Sequence, residues 1–205
     1  PEIYTLSLHD ALPISGLHLI LEKPITNTTE EALDLIRLAK ENNLLCASMY
    51  GYCGYPMIRQ ARSMVEAGEL GEVRVVQTEF AHGNCATAVE NHSEGAAWRN
   101  DPKTSGGTFV LGDVGTHALH LATFITGQQV HHVAADFQNF VEGRVLEDNA
   151  HVLLRFEDGA SGYLWASGVA VGHRHGLAIR VYGSKAGISW HQERPNQLLY
   201  SPLGE

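Results

Sequence analysis

The feature that most constrains the fold is a change of hydrophobic period along the chain. From Gly16 to Met49 an apolar run, a stretch with period 3.6 and a second apolar run follow one another; from Glu72 onward the period is mostly two. Gly16 to Leu21 meets Glu22-Lys23-Pro24 in the way a buried strand ends at a proline. Thr28 or Thr29 then caps a helix. Glu30 and Glu31 sit at its positive end, and Leu33, Ile36, Leu38 and Ala39 form its expected apolar stripe. Asn42-Asn43 stops the helix, and Leu44 to Met49 reads as a second buried strand. Strand, capped helix and strand in so short a span make a βαβ unit, which demands a parallel sheet.

Pro56 starts another helix, which runs to Glu66 with Met57, Ile58, Ala61, Met64 and Val65 at helical spacing; Ala67-Gly68-Glu69-Leu70-Gly71 closes it. Beyond it Val73, Val75 and Thr78 alternate with Arg74, Val76 and Gln77, the pattern of a half-buried strand. One further helix-like stretch, Ala118 to Ile125, is stopped by Gly127. Strands are expected at residues 130–140, 149–156, 160–167, 177–182, 187–191 and 198–200, with Glu157-Asp158-Gly159 as the clearest hairpin turn. The order predicts a piece of a nucleotide-binding α/β domain followed by an α+β domain with a large, mostly antiparallel open sheet.

Composition narrows the function. Net charge is −9 and the basic residues are scattered, so no stripe tracks phosphates and nucleic acid is excluded as a partner. No apolar run approaches the roughly 20 residues that span a bilayer, and no membrane partner is expected. Cys46, Cys53 and Cys85 are too few and too irregular for a disulfide framework or a zinc site, which favours a reducing, cytoplasmic setting. Residues 1–15 (PEIYTLSLHDALPIS) resemble translated sequencing-adaptor read-through and are set aside; the alternative is a native strand-and-loop lead-in. With an abrupt end at Ser-Pro-Leu-Gly-Glu, the chain reads as an internal fragment.

Chemistry concentrates in Gly112-Asp113-Val114-Gly115-Thr116-His117-Ala118-Leu119-His120. Four residues apart on a nascent helix, Asp113 and His117 share a face. A carboxylate that orients an imidazole can move a proton on and off a hydroxyl. Lys23, at the C-terminal end of a parallel strand, lies where open α/β sheets bind ligands, and its ammonium can polarise a carbonyl oxygen. The bland readings are a capping aspartate with a helix-surface histidine, and a surface lysine. Trp98 beside Arg99 suits a polyhydroxylated ring through stacking and bidentate hydrogen bonds. His173 and His175 are loop histidines that could line a substrate pocket, and His120 suits a structural role.

Six segments in order carry a resemblance: GLHLILEKP (16–24), GYPMIRQAR (54–62), GELGEV (68–73), WRNDP (98–102), the Asp-x-x-x-His run and VYGSKAG (181–187). Together they resemble the Gfo/Idh/MocA oxidoreductases, nicotinamide-dependent dehydrogenases of sugars and polyols. The resemblance implies that residues 16–50 are the end of a Rossmann domain and 51–205 a substrate and oligomerisation domain. It implies NAD or NADP as cofactor and a sugar or polyol as substrate. It further implies Lys23, Asp113 and His117 as catalytic residues, and cofactor contacts from Glu22, Lys23, Pro24 and Tyr52. Trp98, Arg99, Asp113, His117 and His175 would contact substrate; no metal ligand is implied. Family members often pair through the outer sheet face, and Leu164 and Val152 are the outward residues expected to do so here.

Two departures from the family stand out. Gly51 occupies a position where relatives often carry an asparagine near the cofactor. No Gly-x-Gly-x-x-Gly occurs in the 205 residues, so the pyrophosphate site is absent from this sequence and the chain alone is expected to be inactive. Two further classes are a non-catalytic sugar-binding or regulatory protein on the same fold and a metal hydrolase using Asp113, His117 and His120. The latter lacks a matching ligand pair.

Overall fold

The computed structural model describes residues 16–88 and 101–204. They fall into two compact units that divide between Tyr50 and Gly51. In the first, β1 (Leu19–Leu21) and β2 (Cys46–Ser48) run parallel, joined through α1 (Thr29–Glu41). The Thr28 hydroxyl accepts from Glu31 N at 3.2 Å and the Glu31 carboxylate accepts from Thr28 N at 3.1 Å, a reciprocal capping box. The buried face of α1 carries Leu35 and Ala39. This corrects the expected stripe: Leu33 and Ile36 are 61% and 41% exposed, because two short strands cover only a narrow strip of the helix. Ile20 and Leu45 are exposed for the same reason.

The second unit opens with a 3₁₀ turn (Gly51–Gly54) and α2 (Pro56–Glu66). Proline at its first turn costs no hydrogen bond, and Ile58, Ala61 and Met64 face the core. Then come β3 (Val73–Ala81), a short α3 (Pro102–Ser105), a π-helical turn (Leu111–Gly115) and α4 (Thr116–Thr126). Six strands follow: β4 (Val130–Gln138), β5 (Asn149–Phe156), β6 (Ser161–Ser167), β7 (Gly176–Gly183), β8 (Ala186–His191) and β9 (Leu198–Pro202). These six and β3 form one sheet in the order β4-β5-β6-β3-β7-β8-β9, antiparallel except where β3 meets β6. Helices α2 and α4 supply Ile58, Ala61, Leu121 and Ile125 to the same core as Val76, Leu154, Leu164, Val181 and Trp190 from the sheet. The buried Thr78 hydroxyl lies 3.1 Å from Ala118 O, tying α4 to the middle strand.

Register corrects three expectations. A bulge between Val73 and Val75 shifts the parity of β3, so Val76, Thr78 and Phe80 face the core, and Val75 does not share the face of Thr78. Val152 and Leu164, expected to point outward, are paired with each other and buried beneath the helices. The outer face instead exposes Leu153, Tyr182 and Leu199. Strand β4 stops at Gln138, two residues short of expectation, because the amides of Phe140 and Val141 are taken by the Asp148 carboxylate.

Candidate active site

Asp113 lies inside the π turn, not at a helix cap. This wider turn leads without a break into α4, and such turns recur at functional sites. Glycine makes the close packing possible. A Cβ on Gly115 would meet Leu111 Cδ1 at 2.6 Å and Ala166 Cβ of β6 at 3.2 Å, so the turn lies directly on the sheet. Asp113 is exposed, whereas His117, one turn on, is half-buried with its Nδ1 atom out of contact with solvent.

Aromatic rings build a wall around His117. The Tyr52 ring meets it edge-on at 4.7 Å, and Phe80 lies 6.1 Å away between centroids. Phe80 in turn stands 5.8 Å from Tyr52, 6.3 Å from His82 and 5.4 Å from His175. His175 Nδ1 lies 3.0 Å from Gln192 Oε1, and Gln192 Nε2 donates to the Tyr55 hydroxyl at 3.5 Å. Tyr55 packs against the buried Trp190 at 5.5 Å. Five segments therefore converge: the 3₁₀ turn and start of α2, the exit of β3, the π turn with α4, the loop before β7 and the exit of β8.

The electrostatics agree with this convergence. Burial pushes the His82 midpoint below its ordinary value; the Asp113 carboxylate pulls it back up and His175 pushes it further down. Burial pushes the Tyr52 phenol up, and Tyr55 and Asp113 reinforce the shift. Asp113 is thus close enough to be felt by both His82 and Tyr52. His120 faces elsewhere: its ring stacks on Phe124 at 5.8 Å and burial lowers its midpoint, in keeping with a structural role.

Of the residues expected from sequence, Tyr52, Asp113, His117 and His175 come together in the second unit. His173 does not join them; its ring meets Trp165 at 5.9 Å. Trp98 and Arg99 lie outside the described residues. Phe80, His82, Tyr55 and Gln192 were missed. Phe80 and His82 were in principle readable, since they continue the alternation Val76, Thr78 once the bulge is placed; Tyr55 lies inside the GYPMIRQAR segment without a role read from it, and Gln192 carried no local signal. Among the described residues no group of three or more His, Cys, Asp or Glu side chains is placed to hold a metal ion.

In the first unit, Glu22-Lys23-Pro24 follow β1, and Ser48 ends β2 with Met49 and Tyr50 after it, at the C-terminal ends of parallel strands. Pro24 to Thr29, Ala32, Ser48 and Tyr50 line an open recess of about 390 Å³. Open α/β sheets bind their ligands at such strand ends.

Residues 58–189 match the family model described as GFO/IDH/MocA C-terminal domain. The chain belongs to the GFO/IDH/MocA family. It is 40% identical over 194 residues to the uncharacterized oxidoreductase YfiI of Bacillus subtilis (strain 168), a match covering 93% of this chain and 49% of that protein. Among solved structures, an inositol dehydrogenase homolog from Azotobacter vinelandii complexed with NAD+ superposes with a TM-score of 0.92 at 43% identity. That match covers 96% of this chain and 51% of the other. An inositol dehydrogenase homolog from Azotobacter vinelandii complexed with NADH and myo-inositol gives a TM-score of 0.87 at 41% identity, covering 96% and 50%. The chain spans about half the length of the relatives it matches.

Proposed function

We propose that this chain carries the substrate side of an NAD- or NADP-dependent dehydrogenase that oxidises a hydroxyl of a sugar or polyol, inositol-like in chemistry, to a ketone. The observation that carries the reading is the convergence of Asp113 and His117 with Tyr52, His82 and His175 in one aromatic-walled site. Residues 16–50 are then the closing part of a Rossmann domain and residues 51–205 the substrate domain.

A bound nicotinamide supplies the hydride acceptor; Glu22, Lys23 and Pro24 would hold it. His117 takes the proton of the substrate hydroxyl as general base, a transfer that an imidazole can run in either direction. Asp113 orients that ring and offsets the imidazolium charge as it forms. The family resemblance implies a catalytic role for Lys23 as well, whose ammonium can polarise a carbonyl oxygen. Trp98, Arg99 and His175 would hold the remaining hydroxyls. Exposed Leu153, Tyr182 and Leu199 on the outer sheet face suit pairing with a second copy.

The test uses the full-length protein. Reduction of NAD+ and NADP+ is followed with a panel of inositols, pyranoses and acyclic polyols, in wild type and His117→Ala. The expected result is turnover with at least one polyol, lowered about 10²–10⁴-fold in His117→Ala while substrate binding persists. Absence of turnover with every polyol and sugar, or full activity in His117→Ala, overturns the reading; saturable sugar binding without turnover favours the regulatory alternative. The 205 residues by themselves, lacking the Gly-x-Gly-x-x-Gly segment, are expected to give no turnover.

A further inference from the structure

Glu147 is 4% exposed and lies in the loop between β4 and β5, 34 positions beyond Asp113 in sequence. Its carboxylate accepts from Leu111 N (Oε1, 2.8 Å) and from Phe109 N (Oε1, 3.0 Å; Oε2, 2.9 Å). Its backbone carbonyl lies 3.4 Å from Val110 N. Three consecutive amides at the start of the π turn and α4 are therefore satisfied by one residue from a distant loop. These are the donors that a helix start leaves without intrahelical partners, and a negative charge there is favourable. The first helical bond of the turn, Asp113 N to Phe109 O at 2.9 Å, begins at the clamped residue.

The neighbouring residue anchors the other side of the site. Asp148, fully buried, pairs with Arg144 at 3.1 Å, and Arg144 donates to Cys85 O at 2.9 Å and Thr87 O at 3.1 Å. Residues 82–87 leave β3 directly after Ala81, so His82 heads the segment that Arg144 holds. One polar loop thus grips both the segment bearing Asp113 and the segment bearing His82.

We propose that Glu147 is a positioning residue: its buried carboxylate clamps Phe109 and Leu111 and so fixes the π turn that presents Asp113 toward His117 and His82. The proposal rests on the proton-transfer role given above to Asp113 and His117. A residue serving packing alone has no need of hydrogen-bond acceptors here, where burial and the neighbouring Asp148 raise the Glu147 midpoint and the amides of Leu111, Phe109 and Glu147 itself draw it back down.

The test reads Asp113 through its neighbour. Histidines of the 205-residue chain are labelled with carbon-13, and the His82 ring signal is followed against pH. The groups facing His82 are Asp113 and His175. Asp113→Asn is the reference and lowers the His82 midpoint, since it removes the charge that holds that midpoint up. Glu147→Ala and Glu147→Asp lower it comparably, the latter because a retained charge sits one methylene too short to reach both amides. Glu147→Gln, which keeps the reach and loses the charge, stays close to wild type. Phe156→Leu, buried at the far end of β5 and chosen to match the loss of Tm, leaves the midpoint in place.

An unmoved His82 midpoint in Glu147→Asp alongside a moved one in Asp113→Asn overturns the clamp. So does a midpoint that follows charge, shifting in Glu147→Gln and not in Glu147→Asp, or one that follows Tm in Phe156→Leu. In the full-length protein, Glu147→Asp should lower kcat about 10–100-fold with KM nearly unchanged. A shifted His82 with undiminished kcat would retain the clamp and overturn the catalytic role of Asp113 and His117.

Discussion

Replacing Arg144 with Met tests whether the polar loop is held by its buried ion pair. Methionine keeps an unbranched apolar stem and removes the guanidinium with its charge. In the wild type both partners of the Arg144–Asp148 pair have fully buried side chains. The variant leaves the Asp148 carboxylate without a cation, although it still accepts from Phe140 N at 3.0 Å and Val141 N at 2.9 Å. The carbonyls of Cys85 and Thr87 also lose a donor, and Thr87, being exposed, can turn to water. Breaking a buried pair from one side costs about 3–5 kcal/mol; the two retained amide bonds place this variant near the lower figure. The Asp148→Asn variant leaves the guanidinium with two carbonyl acceptors. The double variant should then be more stable than the sum of the single losses predicts, by about 1–3 kcal/mol, because it strands no charge. Urea unfolding followed by tryptophan fluorescence gives the free energies, and amide exchange at Phe140 and Val141 reports the loop itself. A loss below about 1 kcal/mol in Arg144→Met, or strict additivity in the cycle, would refute the reasoning.

Three further outcomes are expected. The folded-state midpoints of His82, His120 and His191 are lowered by burial from an ordinary 6.5. As pH falls from about 6.5 toward the lowered folded values the unfolded chain takes up protons first, so these groups cost stability across that window; urea midpoints at stepped pH should fall there, and less steeply in His82→Gln. Glu147 has the opposite sense: its folded midpoint is raised from 4.5 by burial, so its contribution is full below that value and is lost as pH rises through the folded midpoint. Glu147→Gln should therefore gain on the wild type as pH rises through that range, read as the difference of two urea titrations. In the first unit, Thr28→Ala removes one arm of the capping box and should cost about 1 kcal/mol, seen as faster amide exchange at Glu31.

What the sequence disclosed follows from the range of the forces involved. Elements set by local signals were legible: α2 begins at its proline and ends before its glycine run, and Gly127 closes α4 with a φ of 71°. The Thr28 cap, the turn at Gly159 and the parallel pairing of β1 with β2 were readable for the same reason. Faces were less legible, because they depend on what lies opposite. One bulged residue inverted the parity of β3, and with it hid Phe80 and His82 from a reading that had already found Asp113 and His117. Leu164 and Val152 alternate as an outward pair would, yet only the placement of α2 and α4 decides which side of an alternating strand is inside. Glu147, Asp148 and Asn149 are the extreme case: three successive polar residues at 4%, 0% and 6% exposure, where composition argues for a solvated loop. Burial of such a run is tolerable only because its partners, the amides of residues 109–111 and 140–141 and the guanidinium of Arg144, arrive from elsewhere in the fold. A polar run whose every acceptor is matched by tertiary donors looks, in sequence, the same as one matched by water. Site-positioning residues of this kind therefore escape motif reading even where the residues they position do not.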